Sequence, residues 1–404
     1  MDSAMNHPAG SDEQRKREVI RILFVNNSAD IYGASRRLLR FVQLLDWKRF
    51  EPIVLLPDHG PLENELRDAK IRTIIFPQLS VIDRKLLSPP ALVKFALNFP
   101  GSVLRLRRIL SHDKIDLVHT NTGVVLSPGP AAWMAGVPHI WHIRDWFQEF
   151  AGLWRFYEKW MRAFSMRIIA VSGPIAEQFT DRSKVRVIHN GFNPAELAPT
   201  DPNAGKAFRG RYDLGDGLIV GCVGRIKLQR KGQEVFLKAA GLLKARGVRA
   251  KWLVVGAPFP GNESHLEALQ DIVREHGLLD DVVFTGELKD TRPAYAAMSI
   301  FVLPSAQPEP FGGVVMEAMC MSLPVIATNI GGSVEQVADG ESGFLVPPND
   351  PVALAAKLEL LLRDEALRKS FGEAGRRRIA ERFTLNGMVE KIVGVYDECL
   401  ANRR

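Results

Sequence analysis

The chain has 404 residues, 46% of them hydrophobic and 25% charged, and a net charge of +7. That length accommodates two domains of ordinary size, and the composition excludes fibrous and low-complexity classes. No apolar run approaches the ~18 residues of a membrane-spanning helix. Cys222, Cys320 and Cys399 are scattered and form no CxxC pair, so neither a disulfide framework nor a structural zinc site is expected and a reducing cytoplasm is.

Residues 1–20 mix acids and bases without an apolar h-region and are expected to form a loose tail rather than a signal peptide. From residue 21 onward, β-rich apolar runs alternate with helical patterns. The predicted strands are 21–26, 52–56, 72–76, 116–120, 139–143 and 167–171, then 218–223, 251–256, 281–286, 300–304, 324–328 and 343–347. Apolar strands separated by helices imply parallel sheets covered on both faces. The Pro-, Asn- and Ala-rich stretch 193–208 reads as a linker. The expected fold is therefore α/β, with doubly wound domains over 21–192 and 209–380. A closing helix over 381–404 is a candidate for crossing back to the first domain. Ligand is expected between the domains, at the carboxyl ends of the strands.

The charge is unevenly placed. Residues 1–200 hold 27 Lys+Arg against 20 Asp+Glu and residues 201–404 hold 26 of each, so the surplus of 7 lies in the first half. It is densest over 84–112, where Phe95, Leu97, Phe99, Val103, Leu104 and Leu106 interleave with Lys94, Arg105, Arg107 and Arg108. Two readings stand: a surface helix with an ordinary core face, or an element lying on an anionic membrane. The aromatic-rich stretch 145–164 suits membrane contact or packing between helices equally. Nucleic acid is not an expected partner, because no recognised module for it occurs.

The first strand of the second half runs into GCVGRIKLQRKG (221–232). Gly224 and Gly232 let backbone approach a ligand, and a strand-to-helix turn presents free N–H groups. Arg225 and Lys231 suit a diphosphate, as a fork and a point charge. Neither a Walker loop nor GxGxxG is present, and alone the segment reads equally well as a solvated basic loop. The stretch EPFGGVVME (309–317) adds two carboxylates eight residues apart. A helix starting near Phe311 or Gly312 turns its free N–H groups and positive dipole end to the cleft. Glu309 then stands at its mouth. Glu317 lies over a turn inside, among Val314, Val315, Met316, Ala318 and Met319, where an unpaired carboxylate is costly and a vicinal diol such as a ribose is a fitting partner. His139 and His142 are three apart on a predicted strand, so they point to opposite faces and cannot share a metal. His119 and His189 read as structural, and Asp145 as an orienting group or an ion-pair partner.

These segments together resemble a known family. EPFGGVVMEAM is similar to the E-x7-E signature of retaining GT-B glycosyltransferases, family 4, also called group 1. VGRIKLQRKG resembles the family's diphosphate loop, VIHNGFN (187–193) the segment ending its first domain, and NIGGSVEQVADGESGFLVPPND (329–350) its glycine- and acid-containing segment. The resemblance implies two Rossmann-like domains facing across a cleft and transfer of a hexose-type sugar, with retention, from a UDP- or GDP-linked donor to a glycan or lipid-linked acceptor. It places Arg225 and Lys231 on the diphosphate, Glu317 on the ribose and Glu309 on the sugar, with the N–H groups of Phe311, Gly312 and Gly313 nearby. His142, in WHIRD, corresponds to a histidine beside the transferred sugar. Gly33 corresponds to a loop glycine near donor phosphate or acceptor, although Gly33-Ala34 replaces the usual double glycine. No Asp-x-Asp occurs, so no metal and no further cofactor is expected. The same fold also carries sugar-nucleotide epimerases and phosphorylases, and a non-catalytic sugar-nucleotide or glycan-binding subunit is a further alternative. The implied setting is cell-surface polysaccharide or glycolipid biosynthesis in the cytoplasm, with residues 84–112 as the candidate contact to the inner membrane face.

Overall fold

The structure, a computed structural model, describes residues 19–82, 88–147, 151–197 and 201–402. Residues 1–18 and 84–87, which belong to the expected tail and basic patch, lie outside the described residues. Thirteen strands are β1 (Ile20–Val25), β2 (Phe50–Leu56), β3 (Arg72–Ile75), β4 (Leu117–Thr120), β5 (His139–Ile143), β6 (Arg167–Ala170), β7 (Val185–Val187), β8 (Ile219–Val223), β9 (Lys251–Val255), β10 (Val282–Phe284), β11 (Ile300–Leu303), β12 (Val325–Thr328) and β13 (Gly343–Val346). They form a seven-stranded sheet, β3-β2-β1-β4-β5-β6-β7, and a six-stranded sheet, β10-β9-β8-β11-β12-β13. Every ladder within them is parallel. Ile22 to Val25 of β1 are fully buried, as expected of a strand covered by helices on both faces. The architecture is the GT-B arrangement of two doubly wound domains. Strand order reverses between β1 and β4 in one sheet and between β8 and β11 in the other, and such switch points open crevices at the strand ends.

β7 is the one strand not expected. It is three residues long, and Arg186 and Val187 are exposed at the sheet edge, so it carries no apolar run to read. The stretch read as a linker holds the helices Pro194–Leu197 and Ala204–Arg211. The second is tied into the second domain, where Arg209 donates to the Ala297 carbonyl at 2.7 Å.

The helix Leu385–Ala401 sets Leu385, Met388, Ile392, Val395, Tyr396 and Cys399 into the same core as Ile22, Phe24 and Phe41 of the first domain. Their spacing makes one apolar stripe. Arg49–Asp397 and Arg167–Glu398 ion pairs flank it. The chain thus crosses between domains twice, and the crossings touch: Phe192 N–H donates to the Phe383 carbonyl at 2.8 Å.

The helix Pro89–His112 buries Val103, Leu106 and Leu110 but leaves Leu92, Val93, Leu97 and Leu104 outside, beside exposed Lys94, Arg105, Arg107 and Arg108. The neighbouring aromatic stretch is spent mainly on internal packing. Phe147 stacks on Trp154 at 4.6 Å, Trp160 meets Phe164, and Tyr157 donates to the Gly123 carbonyl. Among the described aromatic residues of this stretch, Phe156 alone stays largely exposed, at 72%. No helix among the described residues is long and apolar enough to cross a membrane.

Candidate active site

On the second domain, the loop after β8 and the loop after β11 meet back to back. The Ala306 N–H donates to the Arg230 carbonyl at 2.9 Å. Gly232 has φ +70°, and a Cβ there would run into the Pro304 carbonyl oxygen; only glycine fits that conformation and that approach. The close approach sets Lys231 beside Glu309, Nζ to Oε1 2.7 Å, and Ser305 Oγ donates to the same oxygen at 2.6 Å. Burial alone would push the Glu309 carboxyl up, but the Lys231 ammonium and the two hydrogen bonds outweigh it and hold the group below its ordinary range. Glu309 is therefore a half-buried, ionised acceptor.

The helix Gly313–Cys320 follows, capped by Gly312 in extended conformation, with Phe311 buried against His189 and Phe383. Helix starts were expected one or two residues earlier here and near Lys231, where the helix runs Gln233–Ala245. Glu317 is half-buried, and Tyr295 O–H donates to its Oε2 at 3.0 Å. The unpaired carboxylate feared from the sequence thus has a partner that sequence reading missed. Glu317 also faces the first domain, where Arg37 feels its charge. Arg37 stacks on Phe192 at 4.7 Å and lies over Gly313, where any Cβ would strike its guanidinium.

On the first domain, side chains at the ends of β1, β4 and β5 form one polar floor. Asn121 Nδ2 donates to Asn26 Oδ1 at 2.9 Å, and Arg144 Nε donates to Asn121 Oδ1 at 3.1 Å. Burial and the nearby Arg37 push Arg144 down to about 9. Asp145 accepts from Gly123 N–H at 2.7 Å and Thr122 Oγ1 at 2.8 Å; it orients that turn, and burial raises its pKa. His142 is buried beneath this floor, its Nδ1 3.2 Å from His119 Nε2. Burial first, then Arg144 and His119, hold His142 well below the ordinary histidine range, so it is neutral. His139 faces the other side of the sheet, towards Thr120 and the Phe164 carbonyl. His119 lies in the aromatic core, whereas His189 bonds Glu335 at 3.1 Å across the domains.

Arg225 is exposed and lies between two rings, Tyr32 of the first domain at 5.1 Å and Phe259 of the second at 5.0 Å. Gly224 has φ +153°, and no protein atom stands near a Cβ built at Gly224 or at Gly33. Both glycines border open space rather than packed backbone. The structure therefore gathers Arg225, Lys231, Glu309, Phe311, Gly312, Gly313 and Glu317 on one wall, with Gly33 and His142 on the facing domain. Sequence reading missed Tyr32, Arg37, Arg144, Tyr295, Ser305 and Phe259. Only Arg37 had a local signal, the Arg36-Arg37 doublet on the helix that opens at Gly33. Among the described residues no group of three or more His, Cys, Asp or Glu could hold a metal ion.

Two doubly wound sheets with two carboxylic acids and two basic side chains at the cleft define the class: GT-B, with a site suited to a diphosphate and hydroxyl groups. Residues 207–378 match the family model of glycosyl transferases group 1, and residues 31–196 that of glycosyltransferase family 4. The chain belongs to glycosyltransferase family 4. It is 32% identical over 191 residues to the capsular polysaccharide biosynthesis glycosyltransferase CapM of Staphylococcus aureus, covering 46% of this chain and 48% of that protein. It is 34% identical over 230 residues to the D-inositol 3-phosphate glycosyltransferase of Acidothermus cellulolyticus, covering 55% of this chain and 49% of that one. The chain thus spans about half the length of these curated relatives. The crystal structure of Anabaena Alr3699/HepE in complex with UDP superposes with a TM-score of 0.80 at 23% identity, over 94% of this chain and 100% of that chain, which establishes the shared fold.

Proposed function

We propose that the chain is a retaining, metal-independent glycosyltransferase that moves a hexose-type sugar from a UDP- or GDP-linked donor to a glycan or lipid-linked acceptor. The observation that carries this reading is the cleft itself, where Arg225, Lys231, Glu309, the start of the helix Gly313–Cys320 and Glu317 converge at one switch point. Arg225 and Lys231 hold the diphosphate and stabilise the charge that grows on it as the sugar departs, which is the task a metal performs elsewhere. Glu309 accepts hydrogen bonds from hydroxyls of the transferred sugar. Glu317 keeps one oxygen on Tyr295 and offers the other to the ribose. His142 lies on the sugar side. No carboxylate is assigned as a nucleophile; Asp145 is committed to Thr122 and Gly123. Departure and attack on one face retain configuration, and the leaving diphosphate takes the acceptor's proton. The name of the Staphylococcus aureus relative supports polysaccharide assembly, and the UDP bound by the Anabaena protein supports a nucleotide donor.

The exposed apolar residues Leu92, Val93, Leu97 and Leu104, set among Lys94, Arg105, Arg107 and Arg108, favour peripheral contact with an anionic membrane on the cytoplasmic side. Co-sedimentation with phosphatidylglycerol vesicles but not phosphatidylcholine vesicles is the expected result.

The test of the catalytic reading is thermal stabilisation by UDP, GDP and their sugar conjugates in EDTA, followed by transfer assays with product anomers read by NMR. A ligand at ~100 times its dissociation constant adds about 2.7 kcal/mol. Turnover lost in EDTA and restored by Mg²⁺ or Mn²⁺ refutes metal independence. Nucleotide binding without turnover on any acceptor points to the non-catalytic alternative.

A further inference from the structure

Beneath the polar floor, three buried side chains form a line from the helix Leu385–Ala401 to β5. Tyr396 Oη stands 2.6 Å from His119 Nδ1, and His119 Nε2 stands 3.2 Å from His142 Nδ1. All three residues are at most 2% exposed. His142 Nε2, the far end of the line, is buried with no hydrogen-bond partner in the protein.

The sense of the line follows from what each end can do. Arg144 Nη2 lies 3.5 Å from His142 Nδ1, and a guanidinium has only donors, so the nitrogen facing it carries a lone pair. His119 Nε2 must then donate to that lone pair, which leaves His119 Nδ1 as an acceptor. Tyr396 O–H supplies the proton to it. The reverse sense would leave the buried Tyr396 hydroxyl proton without an acceptor, at the cost that attends any unmade buried hydrogen bond. Burial keeps both rings neutral, with His119 held down to about 3, so each has one donor and one acceptor.

We infer that Tyr396 and His119 are positioning residues that fix His142 as its Nε2–H tautomer. His142 thereby presents a hydrogen-bond donor, not a base, to an oxygen of the transferred sugar. This rests on the reading of His142 as a sugar-side residue and adds its chemical role. The unpaired Nε2 is the second observation that calls for a ligand, because a buried donor is rarely left without an acceptor. The contact orients the sugar in its reacting conformation, and the side chain that dictates it comes from beyond the second domain, some 250 residues on in the chain: Tyr396 against His142.

The experiment is a long-range ¹⁵N–¹H spectrum of the full chain labelled with ¹⁵N-histidine, together with steady-state turnover of UDP-glucose and GDP-mannose by wild type, Tyr396→Phe and His142→Ala. The expected spectrum shows a protonated Nε2 and a bare Nδ1 at His142, with the Nε2 signal moving when the turned-over sugar nucleotide is added and not with UDP or GDP alone. Tyr396→Phe is expected to mix the tautomers and lower kcat about tenfold, the worth of one neutral hydrogen bond, with the donor KM little changed. A bare Nε2 in the wild-type spectrum, which needs no variant to fold, overturns the inference. So does a folded Tyr396→Phe protein with full kcat. His142→Ala turning over at the wild-type rate would instead remove the sugar-side reading of His142 on which the inference stands.

Discussion

Replacing Lys231 by alanine tests the half-buried pair at the centre of the site. Lys231 and Glu309 keep 29% and 16% of their side chains exposed, respectively, and touch at 2.7 Å. Stranding one ion of a fully buried pair costs ~3–5 kcal/mol. Ser305 still donates to Glu309 after the change and water reaches the vacated space, so the expected loss is about 2 kcal/mol near neutral pH. The sign of its pH dependence follows from Glu309. In wild type its folded pKa is depressed, so its contribution is fully present above the unfolded carboxyl value of about 4.3 and is lost as pH falls through the folded value. Without Lys231, burial prevails and the folded pKa rises above the unfolded one, so the penalty grows as pH climbs from about 4.3. The stability gap between Lys231→Ala and wild type should therefore be small near pH ~3 and approach its full size by pH ~7. Urea denaturation across that range measures it. A gap independent of pH, or below ~0.5 kcal/mol at neutrality, would refute the picture of an ionised, lysine-held Glu309.

Other outcomes follow from the same geometry. Arg225→Ala should leave denaturation midpoints unchanged, since the guanidinium is exposed, yet weaken UDP or GDP binding about tenfold to a hundredfold, the range of charge-assisted hydrogen bonds, by calorimetry. Gly232→Ala should destabilise the fold by at least ~1–3 kcal/mol from its left-handed φ alone, with the Pro304 carbonyl adding to that; unchanged urea stability would contradict the close approach of the two loops. Glu317→Ala should lower affinity for nucleoside diphosphates while a 2′,3′-dideoxy analogue binds both proteins alike; equal losses for both ligands would sink the ribose assignment.

The sheets were legible because their strands are short apolar runs buried on both faces, as Ile22–Val25 and Ile300–Leu303 illustrate. β7 escaped because an edge strand with Arg186 in its middle needs no such run. The candidate wall of the cleft was legible for a different reason: Arg225, Lys231, Glu309 and Glu317 lie in two local segments whose loops pack together at one switch point. What is not local could not be read. Tyr295 reaches Glu317 from another helix, and Arg37 and Tyr32 meet the second domain only once the cleft exists. In the basic patch the helical period sorts core from surface, since Val103 and Leu106 face inward and Leu97 and Leu104 outward.

The return of the helix Leu385–Ala401 to the first domain has a consequence for how the protein is made. Domains generally fold as they leave the ribosome, amino-terminal ones first. Here the first-domain core around Phe24, Phe41 and His119 stays open until Tyr396 and Ile392 arrive, after the whole second domain has been translated. The half of the molecule synthesised first is completed last, and a ribosome-stalled chain ending before residue 385 should present its first domain as a protease-sensitive, partly packed sheet beside a finished second one.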